Sequence, residues 1–304
     1  MIPYTRKTLP NGLTVVVNRD RASKLAAVNI LYRVGARNEN PARTGFAHLF
    51  EHLMFRGTRA VENFDLPVQM ASGDNNAFTN NDYTDFYITL PKDNLETALW
   101  LESDRMEGLD ITPAKLEAEK KVVIEEFRQR YLNQPYGDQT MLLRALAYKV
   151  HPYRWAAIGL ATDHIAGATL ADVESFYRAH YRPSNAILSI SADMEEEWML
   201  ELAEKWFAPL ADHPSETAAI PQEPVQTQAR RQEVERDVPA STVTVAYHMC
   251  ARTKLDFYTA DLVSDLLSGG DSGRLYTHLV KERNLLSSVN AYITGDVDPG
   301  LFVF

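Results

Sequence analysis

Thr44-Gly-Phe-Ala-His48-Leu-Phe-Glu51-His52-Leu-Met-Phe55 is the stretch on which the reading of this chain turns. Its apolar residues recur at helical rather than strand spacing, so residues from about Gly45 to Phe55 are expected to form a helix. His48 and His52 stand four apart and project from one face, where both imidazoles reach a single cation. Glu51, three after His48 and one before His52, sits beside such an ion without being forced to bind it. Leu49, Phe50, Leu53 and Phe55 pack the other faces in this reading. Two histidines and a glutamate in so apolar a helix are costly to bury unless something pairs them, and a divalent metal is the natural pairing. The plain alternative is two histidines satisfied in a core.

A catalytic zinc takes a third protein ligand and keeps a fourth position for water. The segment 115–130 reads Lys-Leu-Glu-Ala-Glu119-Lys-Lys-Val-Val-Ile-Glu125-Glu126-Phe-Arg-Gln-Arg. Glu119 and Glu126 are seven apart, two helical turns, on the face of Val122 and Val123. Glu125 is rotated about 100° from Glu126, toward solvent. A charged solvated helix is the ordinary reading of such a run. Two carboxylates on a stripe shared with two valines fit an exposed face badly.

Outward from these segments, the period changes. Asn11-Gly12 followed by Leu13 to Val17 predicts a hairpin. Val28, Ile30, Tyr32 and Val34 alternate as a half-buried strand does. Period two returns from Asn76 to Leu90, with Tyr83, Asp85, Tyr87 and Thr89 opposite Thr84, Phe86, Ile88 and Leu90. Asp93 is expected to cap a helix to about Met106, and Thr112-Pro113 to open another that runs past Arg130. Further helices are expected near 138–149, 170–179 and 194–206, with a strand from Ala186 to Ser191. This mixture predicts an α+β fold, an antiparallel-rich sheet with helices on one face. Residues 211–232, with Pro214, Pro221 and Pro224, read as a linker between domains at 1–210 and 233–304. Val243, Val245, Tyr247 and Met249 alternate as the earlier strand does, so the second domain is expected to repeat the plan of the first. Gly300 to Phe304 falls within an apolar strand, which predicts an open sheet edge and an incomplete second domain.

The chain resembles the pitrilysin/insulinase family of zinc metallopeptidases, the inverted zincins, whose signature is H-x-x-E-H. The resemblance implies His48, His52 and Glu126 as ligands, Glu126 standing 74 residues after His52. It implies Glu119 as the carboxylate that orients a ligating histidine, and Glu51 as general base on an activated water. Gly73-Asp-Asn-Asn76-Ala77-Phe78-Thr79 with Tyr83-Thr84 is similar to the family's edge strand, where Asn76, Ala77 and Phe78 would meet an extended substrate. Without the family, Asn76 reads as a strand-entry turn residue. His151-Pro-Tyr153, Phe176-Tyr177 and Tyr181-Arg-Pro-Ser-Asn185 resemble further family blocks.

Members that complete their own site carry Leu-Arg-x-x-x-x-Leu-x-Tyr in the second half. In Leu279-Val280-Lys281-Glu282-Arg283-Asn284-Leu285-Leu286-Ser287, valine and serine stand at the arginine and tyrosine positions, with Arg283 as an alternative arginine. In the family's two-subunit members a metal-free partner supplies those donors. The resemblance therefore implies a zinc endopeptidase for unstructured peptides, working in a heterodimer with a homologous metal-free subunit, or as a homodimer. The alternatives are a non-catalytic scaffold subunit and a metal-binding module without turnover.

Composition narrows the field. The chain has 304 residues, 45% hydrophobic and 24% charged, which suits two globular domains. A net charge of −10 argues against nucleic acid as partner. The single cysteine, Cys250, forms no internal disulfide and reads as a small buried apolar residue. No apolar run is long enough for a membrane span. Ile2-Pro3-Tyr4 leads straight into strand-like sequence, which fits a cytoplasmic protein or a periplasmic one whose signal peptide has been removed.

Overall fold

The computed structural model describes residues 2–213 and 218–304, so Pro214 of the expected linker lies outside the described residues. The chain divides into two compact units, Met1–Asn133 with His151–Gln222, and Gln134–Val150 with Glu223–Phe304. Residues 134–150, expected with the first domain, thus count with the second unit. Within that unit Tyr136 donates to the Ala240 carbonyl at 2.7 Å, and Arg230 donates to the carbonyls of Leu146 and Ala147 at 3.0 and 2.6 Å.

The first unit is built on six strands: β1 (Thr5–Thr8), β2 (Thr14–Arg19), β3 (Leu25–Tyr32), β4 (Asp74–Thr79), β5 (Thr84–Pro91) and β6 (Ala186–Ala192). Their order is β1-β2-β6-β3-β5-β4, with every neighbouring pair antiparallel except β2 and β6. Register places Val28 between Ile190 and Ile88, and Ile30 between Leu188 and Phe86. All six side chains are buried, while Asn29, Tyr87 and Ser189 on the opposite face are half-buried. One face is therefore the core, as the alternation requires. The hairpin at Asn11-Gly12 forms, with Gly12 at φ +87°.

The helices of the first unit are α1 (Phe46–Leu53), α2 (Asp65–Met70), α3 (Leu95–Glu107), α4 (Pro113–Phe127), α6 (Thr162–Ala166), α7 (Leu170–His180) and α8 (Glu196–Phe207), while α5 (Gln139–Ala147) belongs to the second unit. α3 packs on β3 and β5, α8 on β2, and α1 on β4 and β5. Two ends differ from expectation. Asp93 lies inside a 3-10 turn, Lys92–Asn94, and Asn94 precedes α3, because the strand continues to Pro91 and leaves no residues for an earlier cap. α4 stops at Phe127, and a π-helical turn, Arg128–Leu132, carries the chain past Arg130.

The second unit holds β7 (Ala246–His248), α9 (Leu255–Ser268), β8 (Tyr292–Ile293) and β9 (Leu301–Val303), in an antiparallel sheet ordered β7-β9-β8. β9 is the central strand, paired on both sides. The expected half-buried strand at 243–249 shrinks to three residues, with Val243 84% and Tyr247 62% exposed. Alternation there identifies a strand, but no element covers that face among the described residues. Cys250 is half-buried rather than buried.

The entry to α1 is fixed by Glu39, which accepts from the amides of Gly45 at 2.8 Å and Ala47 at 2.9 Å. Glu39 is buried, so these two helix-end donors have no water to turn to. Glu39→Ala is expected to lower unfolding free energy by about 2 kcal/mol. Urea denaturation checks this, and an unchanged midpoint would remove Glu39 from the role.

Candidate metal centre

α1 is short, and its position is set by packing rather than propensity. Phe50 stacks on Phe176, Tyr177 and Tyr181 with centroids at 5.3, 6.1 and 5.0 Å. Tyr177 in turn donates to the carbonyls of Arg105 and Met106 at 2.7 and 2.9 Å. With Phe50 pinned, residues 48 and 52 face α4, which packs against α1. α4 starts where expected: the Thr112 hydroxyl accepts from the Lys115 amide at 3.2 Å, and Pro113 is its first residue. Leu116, Glu119, Lys120, Val123 and Phe127 form its buried face. Val122 is 44% exposed, so the stripe carrying the carboxylates is narrower than the sequence reading. Glu125 is exposed and pairs with Arg128 at 3.6 Å.

The helix pair brings together the residues expected to meet. Glu126 Oε2 lies 3.6 Å from His48 Nε2 and 3.4 Å from His52 Nε2. One atom each from His48, His52 and Glu126 lies within 4.8 Å of the others, a group able to hold a metal ion. Ligands about 2.0–2.1 Å from a tetrahedral zinc stand about 3.4 Å apart, so the separations of Glu126 Oε2 from the two histidines fit such an ion. His52 Nδ1 faces Glu119 Oε2 at 3.4 Å, and Glu119 is 1% exposed. His48 Nδ1 is buried without a hydrogen-bond partner.

Electrostatics separate the two histidines. Burial lowers His48 to about 4, despite the attraction of Glu126, so its ring is neutral. Burial alone would also lower His52, but Glu119 and Glu126 carry it up to about 9. For Glu119, burial pulls upward, yet His52 and Arg56 hold it below the usual carboxylate range. Glu126 is lowered first by its hydrogen bond with His52. Glu51 is pushed up by burial, and side-chain and backbone hydrogen bonds with Thr79 oppose this.

Thr79 belongs to β4, the outer strand of the sheet, so Glu51 faces the strand that carries Asn76, Ala77 and Phe78. Asn76 accepts from the Ala77 amide at 2.8 Å, and Phe78 meets Tyr83 edge-on at 5.9 Å. An open cavity of about 380 Å³ lies beside the strand, lined by Phe55, Asp65, Gln69 and residues 73–76. Val280 lies in a π-helical turn of the second unit, Tyr276–Glu282, while Arg283 and Ser287 are exposed. Sequence reasoning missed Arg56, Arg130 and Thr79. Arg130 Nη1 is 3.0 Å from Glu126 Oε1, and Arg56 Nη2 is 2.5 Å from Glu119 Oε1. Arg130 carries a legible signal, four residues after Glu126 on one helix. Arg56 and Thr79 reach the site across elements.

Two family models match the chain: insulinase (peptidase family M16) over residues 14–156, and peptidase M16 inactive domain over residues 167–304. The zinc protease PqqE of Helicobacter pylori is 34% identical over 303 residues, 98% of this chain and 68% of that protein. An Arabidopsis thaliana protein named probable mitochondrial-processing peptidase subunit beta is 25% identical over 315 residues, 99% of this chain and 59% of that protein. Among solved structures, a protease from Helicobacter pylori superposes with a TM-score of 0.91 at 32% identity, covering 100% of this chain and 74% of the other. A peptidase M16 inactive domain from Pseudomonas fluorescens has the same fold, with a TM-score of 0.85 at 19% identity, covering 99% and 73%.

A zinc ion taken up at His52 Nε2 would have to displace the proton that the two carboxylates hold there. With that group at about 9 and His48 already neutral, zinc affinity is expected to rise about tenfold per pH unit from about pH 6 to 8 and to level off above about 9. Calorimetric titration in buffers of different ionisation enthalpy reads the proton released. A pH-independent constant would show that His52 bears no displaced proton.

Proposed function

The chain belongs to the insulinase family of peptidases, family M16, and on that premise we propose that it is a zinc-dependent endopeptidase for unstructured peptides. The observation that carries this reading is the convergence of His48, His52 and Glu126 with a further carboxylate, Glu51, that faces the outer strand of the sheet. In this reading His48 and His52 offer Nε2 and Glu126 offers Oε2, while Glu119 orients His52. A zinc ion held there supplies a Lewis acid that lowers the pKa of water toward neutrality and polarises a peptide carbonyl.

The remaining work falls to the chain's own groups. Glu51, raised by burial and held by Thr79, accepts a proton from the attacking water and returns it to the leaving amine. The substrate lies as an added strand on the free side of β4, so main-chain hydrogen bonds along Asn76, Ala77 and Phe78 bind it with little demand on sequence. Such binding selects extended chains over folded ones. Val280 and Ser287 stand where a self-sufficient chain would hold arginine and tyrosine. The partner in this reading is therefore a homologous metal-free subunit in a heterodimer, or a second copy, that brings the missing donors.

One observation favours a second reading. Residues 167–304 match a model described as an inactive domain, which suits a scaffold subunit without turnover. The intact set of histidines and carboxylates supports the peptidase instead.

Cleavage of a quenched unstructured peptide, with zinc and with chelator, separates the two. Chelator-sensitive cleavage is expected, and Glu51→Gln should retain zinc while losing about 10²-fold or more in kcat. Near-normal turnover in that variant would sink the base assignment. Glu126→Gln should lose zinc, and full occupancy there would remove Glu126 from the ligand set. A zinc-loaded chain that cleaves nothing, alone or with a metal-free homologue, favours the scaffold.

A further inference from the structure

Glu119 is 1% exposed, so its charge must be met inside the fold. Its two oxygens have different partners. Oε2 lies 3.4 Å from His52 Nδ1, and Oε1 lies 2.5 Å from Arg56 Nη2. Arg56 follows α1 directly, its amide donating to the Leu53 carbonyl at 3.0 Å, and its guanidinium reaches across to α4. The arginine side chain is 52% exposed, whereas the carboxylate it holds is sealed from water.

We infer that Arg56 is a positioning residue of the metal centre: it anchors the Glu119 carboxylate so that His52 keeps its proton on Nδ1 and leaves Nε2 free to ligate. This rests on the metal reading above. A carboxylate on a helix turns about its last torsion, and the ion pair of Oε1 with the Arg56 guanidinium, a close charge contact without hydrogen-bond geometry, restrains that freedom. With Oε1 taken, Oε2 is the oxygen left for His52. An oriented carboxylate then selects the imidazole tautomer, since Nδ1–H donates to it and the ring's other nitrogen keeps its lone pair. Without Arg56 the sealed carboxylate has one distant partner, and nothing holds it against rotation away from the ring.

Arg56 and Arg130 play comparable parts on different geometry. Arg130 holds Glu126 Oε1 at 3.0 Å from four residues along the same helix, leaving Oε2 to the histidines. Arg56 instead joins the end of α1 to α4, so it fixes the relation between the helix that carries His52 and the helix that carries Glu119. Arg128 with Glu125 at 3.6 Å is an exposed pair that touches none of these groups and serves as a control.

The test is the zinc dissociation constant of the purified chain, measured by competition with a chromophoric chelator. Arg56→Met is expected to weaken zinc by about 10- to 100-fold. Arg56→Lys, which keeps the charge without the planar fork, should recover part of that loss, and Arg128→Met should match the unmodified chain. In a Glu119→Gln background, Arg56→Met should add less than about twofold, because the arginine acts through that carboxylate. Arg56→Gln repeats the measurement should the methionine variant fail to fold. An Arg56 variant within about twofold of the unmodified chain, or an undiminished further loss in the Glu119→Gln background, overturns the inference while leaving the metal site standing. An unmodified chain that binds no zinc overturns the metal reading itself, and this inference with it.

Discussion

Histidines 48 and 52 on one helix, and the carboxylates of Glu119 and Glu126 on another, impose the central constraint on this structure. Each group is expensive to bury alone in surroundings built from phenylalanine, leucine and valine. Set against one another they meet opposite charge, and the relation between α1 and α4 follows from that need. α1 has only eight residues, six of them buried, so it has little stability of its own. It exists as a helix because Glu39 takes its first amides, Phe50 locks into the aromatic cluster of α7, and α4 meets its polar face.

The same arrangement makes two chemically identical side chains unlike. His48 is buried beside a single carboxylate and is held neutral, while His52 is gripped from both ring nitrogens and holds its proton tightly. The site is thus partly prepared for a cation before any arrives, with one lone pair ready and a second guarded. Glu51 stands between the two histidines in sequence yet turns to the sheet instead, where Thr79 receives it. That outward turn connects the helical centre to β4, the strand with a free edge. Glu51 and the outer strand are adjacent because this residue of α1 faces the strand rather than the opposite helix.

Arginines complete the arrangement from outside. Arg56 and Arg130 each occupy one oxygen of a carboxylate whose other oxygen faces a histidine. Both arginine side chains are largely exposed, 52% and 65%, so they add positive charge beside a buried carboxylate, Glu119, and a half-buried one, Glu126, without being buried themselves. The second unit is of another character. Its three short strands leave Val243 and Tyr247 exposed, and Leu255, Tyr258 and Leu262 of α9 are exposed as well. The chain covers 68% of the Helicobacter pylori relative's length and 59% of the Arabidopsis thaliana relative's.

Local periodicity determined much by itself. Four-residue spacing placed both histidines on one helical face, seven-residue spacing did the same for Glu119 and Glu126, and alternation picked out the buried faces of β3 and β5, because these relations depend only on helix and strand geometry. Thr112-Pro113 and Asn11-Gly12 named their own cap and turn, since the residues that make them are adjacent in the chain. Side-chain burial across elements was not legible in that way. Val122 shares a stripe with Val123 but is exposed, since α4's partners cover the other side of that stripe. Tyr247 alternates like Tyr32 and is uncovered, because periodicity marks a face without saying what lies against it. Glu39 shows no local capping signature, and Arg56 and Thr79 join the site only through contacts between helix and helix or helix and strand. Residue types and spacings therefore sufficed to place His48, His52, Glu119 and Glu126 on their helix faces, while which of them meet, and the order of their proton affinities, were decided by tertiary packing, which alone sets how deeply each charge is buried and which opposite charge it meets.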